Sequence, residues 1–293
     1  MKRNIFDFTA VRVAVGLCLA LAAESNAPAA DLPKGLVLFF NFNEADNGGV
    51  IIDRSGQRNN GRATGLRWTT GKQGGCYEFS PANSYIHVAN NMSLNANRAT
   101  FAAWFKAAKA DAIWRRILDK RTYTLCIAGD SQDGSNKGKL AVGLNGRFWC
   151  LSDSAVADGK WHHGAATYDG ANLKLYVDGQ LQKQVVPMPG AIAPNANDLT
   201  IGMNRSNPSA QENGQSFDGM IDEVMIFNRA LSAEEIKTVA SAGSGGTAAA
   251  GKGKTFTKAQ VARRLVELKD LLDKGYITQE FYEKKVEECK PTE

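Results

Sequence analysis

Paired acids, adjacent histidines and aromatic rings near turns are the residues of this 293-residue chain with chemistry to offer. Asp222-Glu223 is the most suggestive pair. Two carboxyl groups about 5–5.5 Å apart on one face would suit a retaining glycosidase. Residues i and i+2 of a strand share a face, whereas i and i+1 do not. The spacing therefore predicts that Asp222 and Glu223 point to opposite faces, and Val224, Met225 and Ile226 supply no third acid. Catalysis by this pair is not expected. His162 and His163 follow Trp161, and as strand neighbours they cannot easily share a metal; His87 is the one other histidine, so a three-histidine zinc site is not expected either. The chain lacks Gly-x-Ser-x-Gly, and no glycine-rich phosphate loop opens a helix. Phe39, Phe79, Trp104 and Phe227 lie in apolar runs and read as core, while Trp68, Tyr85, Trp114 and Trp149 lie near turns or strand ends. Rings so placed can stack on the apolar face of a ligand such as a sugar.

The elements that must position these residues are short strands. From Gly35 to about Ala240, apolar-alternating runs are broken by Gly, Asn, Asp and Ser: Leu36–Phe42, Tyr85–Val88, Thr100–Lys106, Lys139–Leu144, Asn172–Val177 and Met220–Phe227. Asn145-Gly146 and Asp178-Gly179 are two-residue hairpin turns. Many short strands with frequent turns indicate a sandwich or barrel. The absence of long amphipathic helices between them argues against βαβ units and a parallel sheet.

The ends of the chain differ in character. Lys2, Arg3 and Arg12 precede the apolar run Val13–Ala23, and Ala27-Pro28-Ala29 follows as a small-residue cleavage site, so residues 1–29 read as a signal peptide and the mature chain as exported. The formal net charge of +5, part of it in that segment, comes without a dense basic cluster interleaved with aromatics, and nucleic-acid binding is not favoured. Of Cys76, Cys126, Cys150 and Cys289, three full disulfide pairings are possible. The Asn145-Gly146 hairpin makes a Cys126–Cys150 bond unfavourable, because two strand spacings, roughly 9–10 Å, separate them. Residues 241–254 are nearly all Gly, Ala and Ser and read as a flexible linker. Val261, Leu265, Leu268 and Leu272 then recur at helical spacing, Gly275 suits a helix end, and Thr278 suits the cap of a second helix that carries Phe281 and Val286. Residues 255–293 thus predict a two-helix hairpin, with leftover apolar surface on residues 255–290 for self-association or an envelope partner.

Several segments together resemble the concanavalin A-like jelly-roll of laminin G and pentraxin domains. They are Gly35–Glu44, the Asp53-Arg-Ser-Gly56 loop, Tyr85–Val88, Phe101–Lys106, Gly159-Lys-Trp-His-His163, Ala166–Gly170, Leu175–Gly179 and the closing Phe217–Ser232. The resemblance implies a mainly β, antiparallel jelly-roll β-sandwich over residues 30–240, with the C-terminal hairpin tethered by the linker. It also implies a structural calcium ion near the Asp-x-Ser-Gly loop, where Asn43 or Glu44, Asp53 and Asp222 would converge. Leu265–Lys285 resembles the bacterial short C-terminal domain called SHOCT, which implies an assembly role. The expectation is an exported, non-catalytic recognition module for a glycan or protein ligand. A divergent glycan hydrolase or lyase, which would need same-face acids lining a cleft, and a structural envelope protein are the alternatives.

Overall fold

The computed structural model describes residues 32–44, 48–81, 84–107, 110–130, 133–204 and 215–241, with isolated positions between 265 and 286. Two antiparallel sheets of eight strands face each other, their strands numbered β1 to β16 along the chain. The first holds β14 (Gln180–Pro187), β13 (Asn172–Val177), β12 (His162–Tyr168), β7 (Ala99–Ala107), β16 (Gly219–Phe227), β5 (Gly75–Phe79) and β4 (Arg67–Thr70), in that spatial order; β1 (Leu36–Phe40) also pairs with β16. The second holds β11 (Phe148–Ala155), β10 (Lys139–Leu144), β9 (Tyr123–Ile127), β8 (Arg115–Asp119), β15 (Leu199–Ile201), β6 (Tyr85–Val88), β3 (Gly61–Thr64) and β2 (Val50–Ile51). The expected antiparallel jelly-roll β-sandwich is therefore present.

Strand alternation builds the core. Phe101, Ala103, Phe105 and Ala107 of β7 point between the sheets, as do Leu125 and Ile127 of β9 and Leu140, Val142 and Leu144 of β10. Phe101 stacks on Tyr123 across the sheets with ring centroids 4.4 Å apart, and Phe79 meets Phe217 edge to face. Burying a side chain of this size contributes about 1.5–3 kcal/mol. Asn145 and Gly146 both have positive φ, as do Asp178 and Gly179, which is what two-residue hairpins between right-twisted strands require. Cys126 and Cys150 lie on β9 and β11 with β10 between them, and Cys76, Cys126 and Cys150 are free, buried thiols.

One helix, α1 (Ala233–Ser241), covers part of the first sheet's outer face. Leu231, Ile236 and Val239 pack there on Ala102, Ala165, Tyr176, Met225 and Phe227. A capping box starts α1: the Glu235 amide donates to Ser232 Oγ at 3.2 Å, and the Ser232 amide donates to Glu235 Oε2 at 2.8 Å. Arg229 holds the same carboxylate through both terminal nitrogens, at 2.9 and 2.5 Å. Its hydrogen bonds bring the Glu235 carboxyl down to about 2.

The predicted two-helix hairpin is corrected: α1, ending at Ser241, is the one α-helix with a described span, and the isolated described positions between 265 and 286 delimit no second pair of helices. The apolar stripe of α1 rests on a finished sheet, which gives this helix a surface to bury against. Most of 255–293, the linker and the signal segment 1–29 lie outside the described residues, and so does the assembly role expected of 255–290. No described helix is long and apolar enough to cross a membrane. Replacing Ser232 by Ala removes one capping bond, about 1 kcal/mol. The expected result is a melting temperature lower by roughly 2–4 °C in calorimetry, with an unchanged β-sheet circular dichroism spectrum.

Candidate functional site

The anticipated acidic cluster resolves into several local caps. Asp53 Oδ1 accepts the amides of Phe39 and Ser55, both at 2.9 Å, and its Oδ2 accepts Ser55 Oγ at 2.8 Å and the Asn59 amide at 2.9 Å. Four donors fill the acceptor positions of the two oxygens. Glu44 is paired with Arg54 at 3.0 Å. Asn43 Oδ1 accepts the Gly75 amide at 3.1 Å, and Asp222 Oδ2 accepts the Gln73 amide at 3.0 Å, so these two do converge, on the β4–β5 turn. The turn approaches so closely that a Cβ on Gly74 would lie 1.7 Å from Asn43 Oδ1, and one on Gly71 2.5 Å from Asp222 Oδ2. These oxygens face N–H donors. As arranged, Asn43, Glu44, Asp53 and Asp222 do not fit the shared calcium ligand set that the resemblance implied. Among the described residues no group of three or more His, Cys, Asp or Glu side chains is placed to hold a metal ion.

Asp222 and Glu223 occupy a β-bulge. Asp222 pairs with Trp104 and Met225 with Ala102, so two residues of β16 oppose one of β7, and Glu223 takes a φ of 50°. The extra residue interrupts the alternation on which the opposite-face expectation rests. Both carboxyls are buried. Burial pushes Asp222 up to about 7, against the pull of the Gln73, Glu223 and Lys72 amides. Burial and the neighbouring Asp222 charge push Glu223 up to about 8. Beside them, Lys72 Nζ sits 4.4 Å from the Trp104 ring centroid, and Trp104 meets His163 edge on. His163 is buried, which lowers its pKa to about 4 despite Asp178, and no hydrogen-bond partner meets its Nδ1. Asp178 also accepts the His163 amide at 2.8 Å and lies 2.8 Å from His162 Nδ1, so the histidine pair serves the strand entry.

A groove of about 550 Å³ lies instead on the outer face of the second sheet. Gly61, Ile86, Val88, Leu199 and Ile201 are buried, and the residues alternating with them form the groove: Arg62 and Thr64 on β3, Tyr85 and His87 on β6, Thr200 on β15 and Asp119 on β8. The register sets Arg62 beside His87, His87 beside Thr200 and Thr200 beside Asp119, one straight row across four strands. Asn197 and Asp198 form a wall. Asp198 Oδ2 is 2.8 Å from His87 Nε2, its Oδ1 accepts the Asn90 amide at 2.8 Å, and these bonds hold its carboxyl below the usual range.

The same row continues past Asp119 to Thr124 on β9, Gly143 on β10 and Trp149 on β11. Six strand spacings make it roughly 29 Å long. Trp149 lies over Gly143, where even a Cβ would come within 2.9 Å of the indole, and meets Trp114 edge to face at 5.0 Å. Of the four predicted aromatics, Tyr85, Trp114 and Trp149 therefore share the outer face of the second sheet. Trp68 does not: it is on β4, 40% exposed, with its Nε1 donating to the Phe42 carbonyl at 2.8 Å. Sequence reasoning missed Arg62, His87, Asp119, Asp198 and Thr200 as one site; the alternation of Tyr85-Ile-His-Val88 was the available signal.

The buried acids set the pH response of stability. Asp222 and Glu223 keep protons in the folded state that the unfolded chain releases near 4, so their stabilisation is full below that pH and is lost as pH rises through about 7 and 8. His163 has the opposite sign: its stabilisation is present above about 6.5 and is lost as pH falls towards about 4. Where the windows overlap two carboxyls outweigh one imidazole, so this contribution to stability falls as pH rises from about 4 to about 8. Glu223→Gln should melt about 5 °C above the parent at pH 8.5 and within a degree of it at pH 4, read by calorimetry; equal melting at both values would contradict this assignment.

Comparisons place the fold among known proteins. Residues 80–237 match the family described as the concanavalin A-like lectin/glucanases superfamily. The rat protein called sushi, von Willebrand factor type A, EGF and pentraxin domain-containing protein 1 is 28% identical over 102 residues, 33% of this chain, and its mouse counterpart is 27% identical over 143 residues, 44% of this chain. The matched segments span 3% and 4% of those relatives. Domain 4 of AbnA, an extracellular arabinanase from Geobacillus stearothermophilus solved with arabinotriose, aligns with a TM-score of 0.55 at 20% identity over 70% of this chain and 98% of that one. The binding domain of Paraclostridial Mosquitocidal Protein 1 aligns with a TM-score of 0.55 at 18% identity, covering 71% of this chain and 52% of that one. The family match covers more than half of the sequence and agrees with the two packed antiparallel sheets, so the chain belongs to the concanavalin A-like lectin/glucanases superfamily.

Proposed function

We propose that this chain is an exported, non-catalytic recognition module that binds a glycan across the outer face of its second sheet. The observation that carries this reading is the row Arg62, His87, Thr200, Asp119, Thr124, Gly143, Trp149. Sugars present hydroxyls that both donate and accept, with apolar ring faces between them. The groove end of the row offers both hydrogen-bonding roles, from the Arg62 guanidinium to the carboxylates of Asp119 and Asp198. Tyr85 and the Trp114–Trp149 pair offer ring faces. A row about 29 Å long suits an extended saccharide better than a single sugar. The arabinotriose bound to the arabinanase domain is consistent with a saccharide ligand.

The absence of catalysis is supported by how the acids are used. Asp222 spends its oxygens on backbone amides of the β4–β5 turn and of Glu223. Asp198 is held by His87 and the Asn90 amide, while Asp119 accepts the Arg121 amide and lies 3.5 Å from Arg116 Nε. Export is supported by the basic-then-apolar N-terminal segment.

A glycan array followed by titration calorimetry tests this proposal. Tyr85→Ala and Trp149→Ala should each weaken binding of the selected oligosaccharide about tenfold, equivalent to about 1.4 kcal/mol. Trp68→Ala, on the other sheet, should leave affinity unchanged, and the oligosaccharide should be recovered intact. Equal binding by Tyr85→Ala and the parent, or accumulation of new reducing ends, would contradict the reading.

A further inference from the structure

Lys120 carries a charge for which neither the core nor the groove has an evident use. It follows Asp119 where β8 turns into β9, and it is fully shielded from solvent. Desolvating an ammonium is costly unless the surroundings replace its water. Here five amide oxygens surround it: Asn197 O at 2.8 Å, Asn90 Oδ1 at 2.9 Å, Asn95 Oδ1 at 3.1 Å, and Asn195 Oδ1 and O at 3.3 and 3.4 Å. An ammonium has three N–H bonds, so five neighbouring oxygens exceed what one-to-one hydrogen bonding uses. Oxygens gathered around a central positive charge, taken from side-chain amides and backbone carbonyls, form the kind of shell that proteins offer a hard metal ion.

The cage joins segments remote in sequence. Residues 90–95 follow β6, Lys120 follows β8, and residues 195–197 precede β15. Direct bonds reinforce it: the Asn195 amide donates to Asn95 Oδ1 at 3.3 Å, and Asn195 Nδ2 donates to Lys120 O at 3.1 Å and to Thr122 Oγ1 at 2.6 Å. The groove wall hangs from the same frame. Asn197 lines the groove and supplies a cage carbonyl, while Asn90 supplies a cage oxygen and gives its amide to Asp198. Burial lowers the Lys120 pKa, and the Asp198 charge opposes that.

We propose that Lys120 is a built-in cation: its ammonium clamps the 90–95 and 195–197 loops as a bound metal ion would, and so fixes the wall of the groove. This is a positioning role, and it holds whatever ligand the groove takes. Its chemical consequence is specific. Removing the side chain leaves an oxygen-lined space that accepts a small cation from solution, whereas removing only the charge leaves the space filled and the oxygens without a counter-charge.

The test uses the full chain with Lys120→Ala and Lys120→Met, followed by differential scanning calorimetry. Both variants should melt about 10 °C below the parent, as expected when a buried charged network loses its partner. Methylammonium chloride at about 100 mM should recover several degrees for Lys120→Ala, relative to sodium chloride at the same ionic strength, and none for the parent or Lys120→Met. Melting of Lys120→Met with the parent would overturn the proposal, as would equal effects of the two salts on Lys120→Ala. Should neither variant fold, nitrogen NMR of the parent decides: a charged, slowly exchanging Lys120 Nζ at pH 7 is expected, and a neutral amine there overturns the proposal.

Discussion

Strand β16 must satisfy β7 along one side and two successive neighbours along the other. Its first residues, Gly219 to Ile221, pair with β5, and Val224 to Phe227 pair with β1. A strand of unbroken alternation cannot make that exchange and keep an apolar row facing the core throughout. The bulge at Glu223 absorbs the difference, so that Ile221, Val224 and Ile226 all reach the core while Met225 and Phe227 meet α1 on the other face. Asp222 fixes the bulge by accepting the Glu223 amide at 2.8 Å and the Gln73 amide at 3.0 Å, which ties the β4–β5 turn to the sheet centre. The cost is two desolvated carboxyls with raised pKa values.

This arrangement leaves the two outer faces with different surroundings. One end of the first sheet's outer face lies under α1, and the other lies beside the β4–β5 turn with Lys72 over Trp104. The outer face of the second sheet carries the polar groove and the tryptophan pair. Its rows run perpendicular to the strands, so neighbouring side chains come from segments far apart in sequence. Lys120 and its asparagine shell then bind the connecting loops into a wall beside those rows.

The sandwich was legible because alternation and turn chemistry are local. Phe101–Lys106 reads as a strand from its own residues, and Asn145-Gly146 announces its hairpin before any partner is known. The bulge was not legible, because nothing in Asp222-Glu223-Val224 marks the residue that pairing leaves over. The calcium expectation could not see the amides of Phe39, Ser55 and Asn59 that engage Asp53. Arg62, His87, Asp119 and Thr200 become one site only through strand register. The Lys120 cage left only a trace, an excess of asparagine at 90–97 and 195–197.

Hydrogen–deuterium exchange of the full chain, with and without the best-binding oligosaccharide, tests the placement of recognition most directly. The account predicts slower exchange in 61–64, 85–88, 117–119 and 196–200, with a second protected stretch at 148–151, and unchanged exchange in α1 and in the β4–β5 turn. Protection confined to α1 or to residues 67–79, with none across the second sheet, would contradict it.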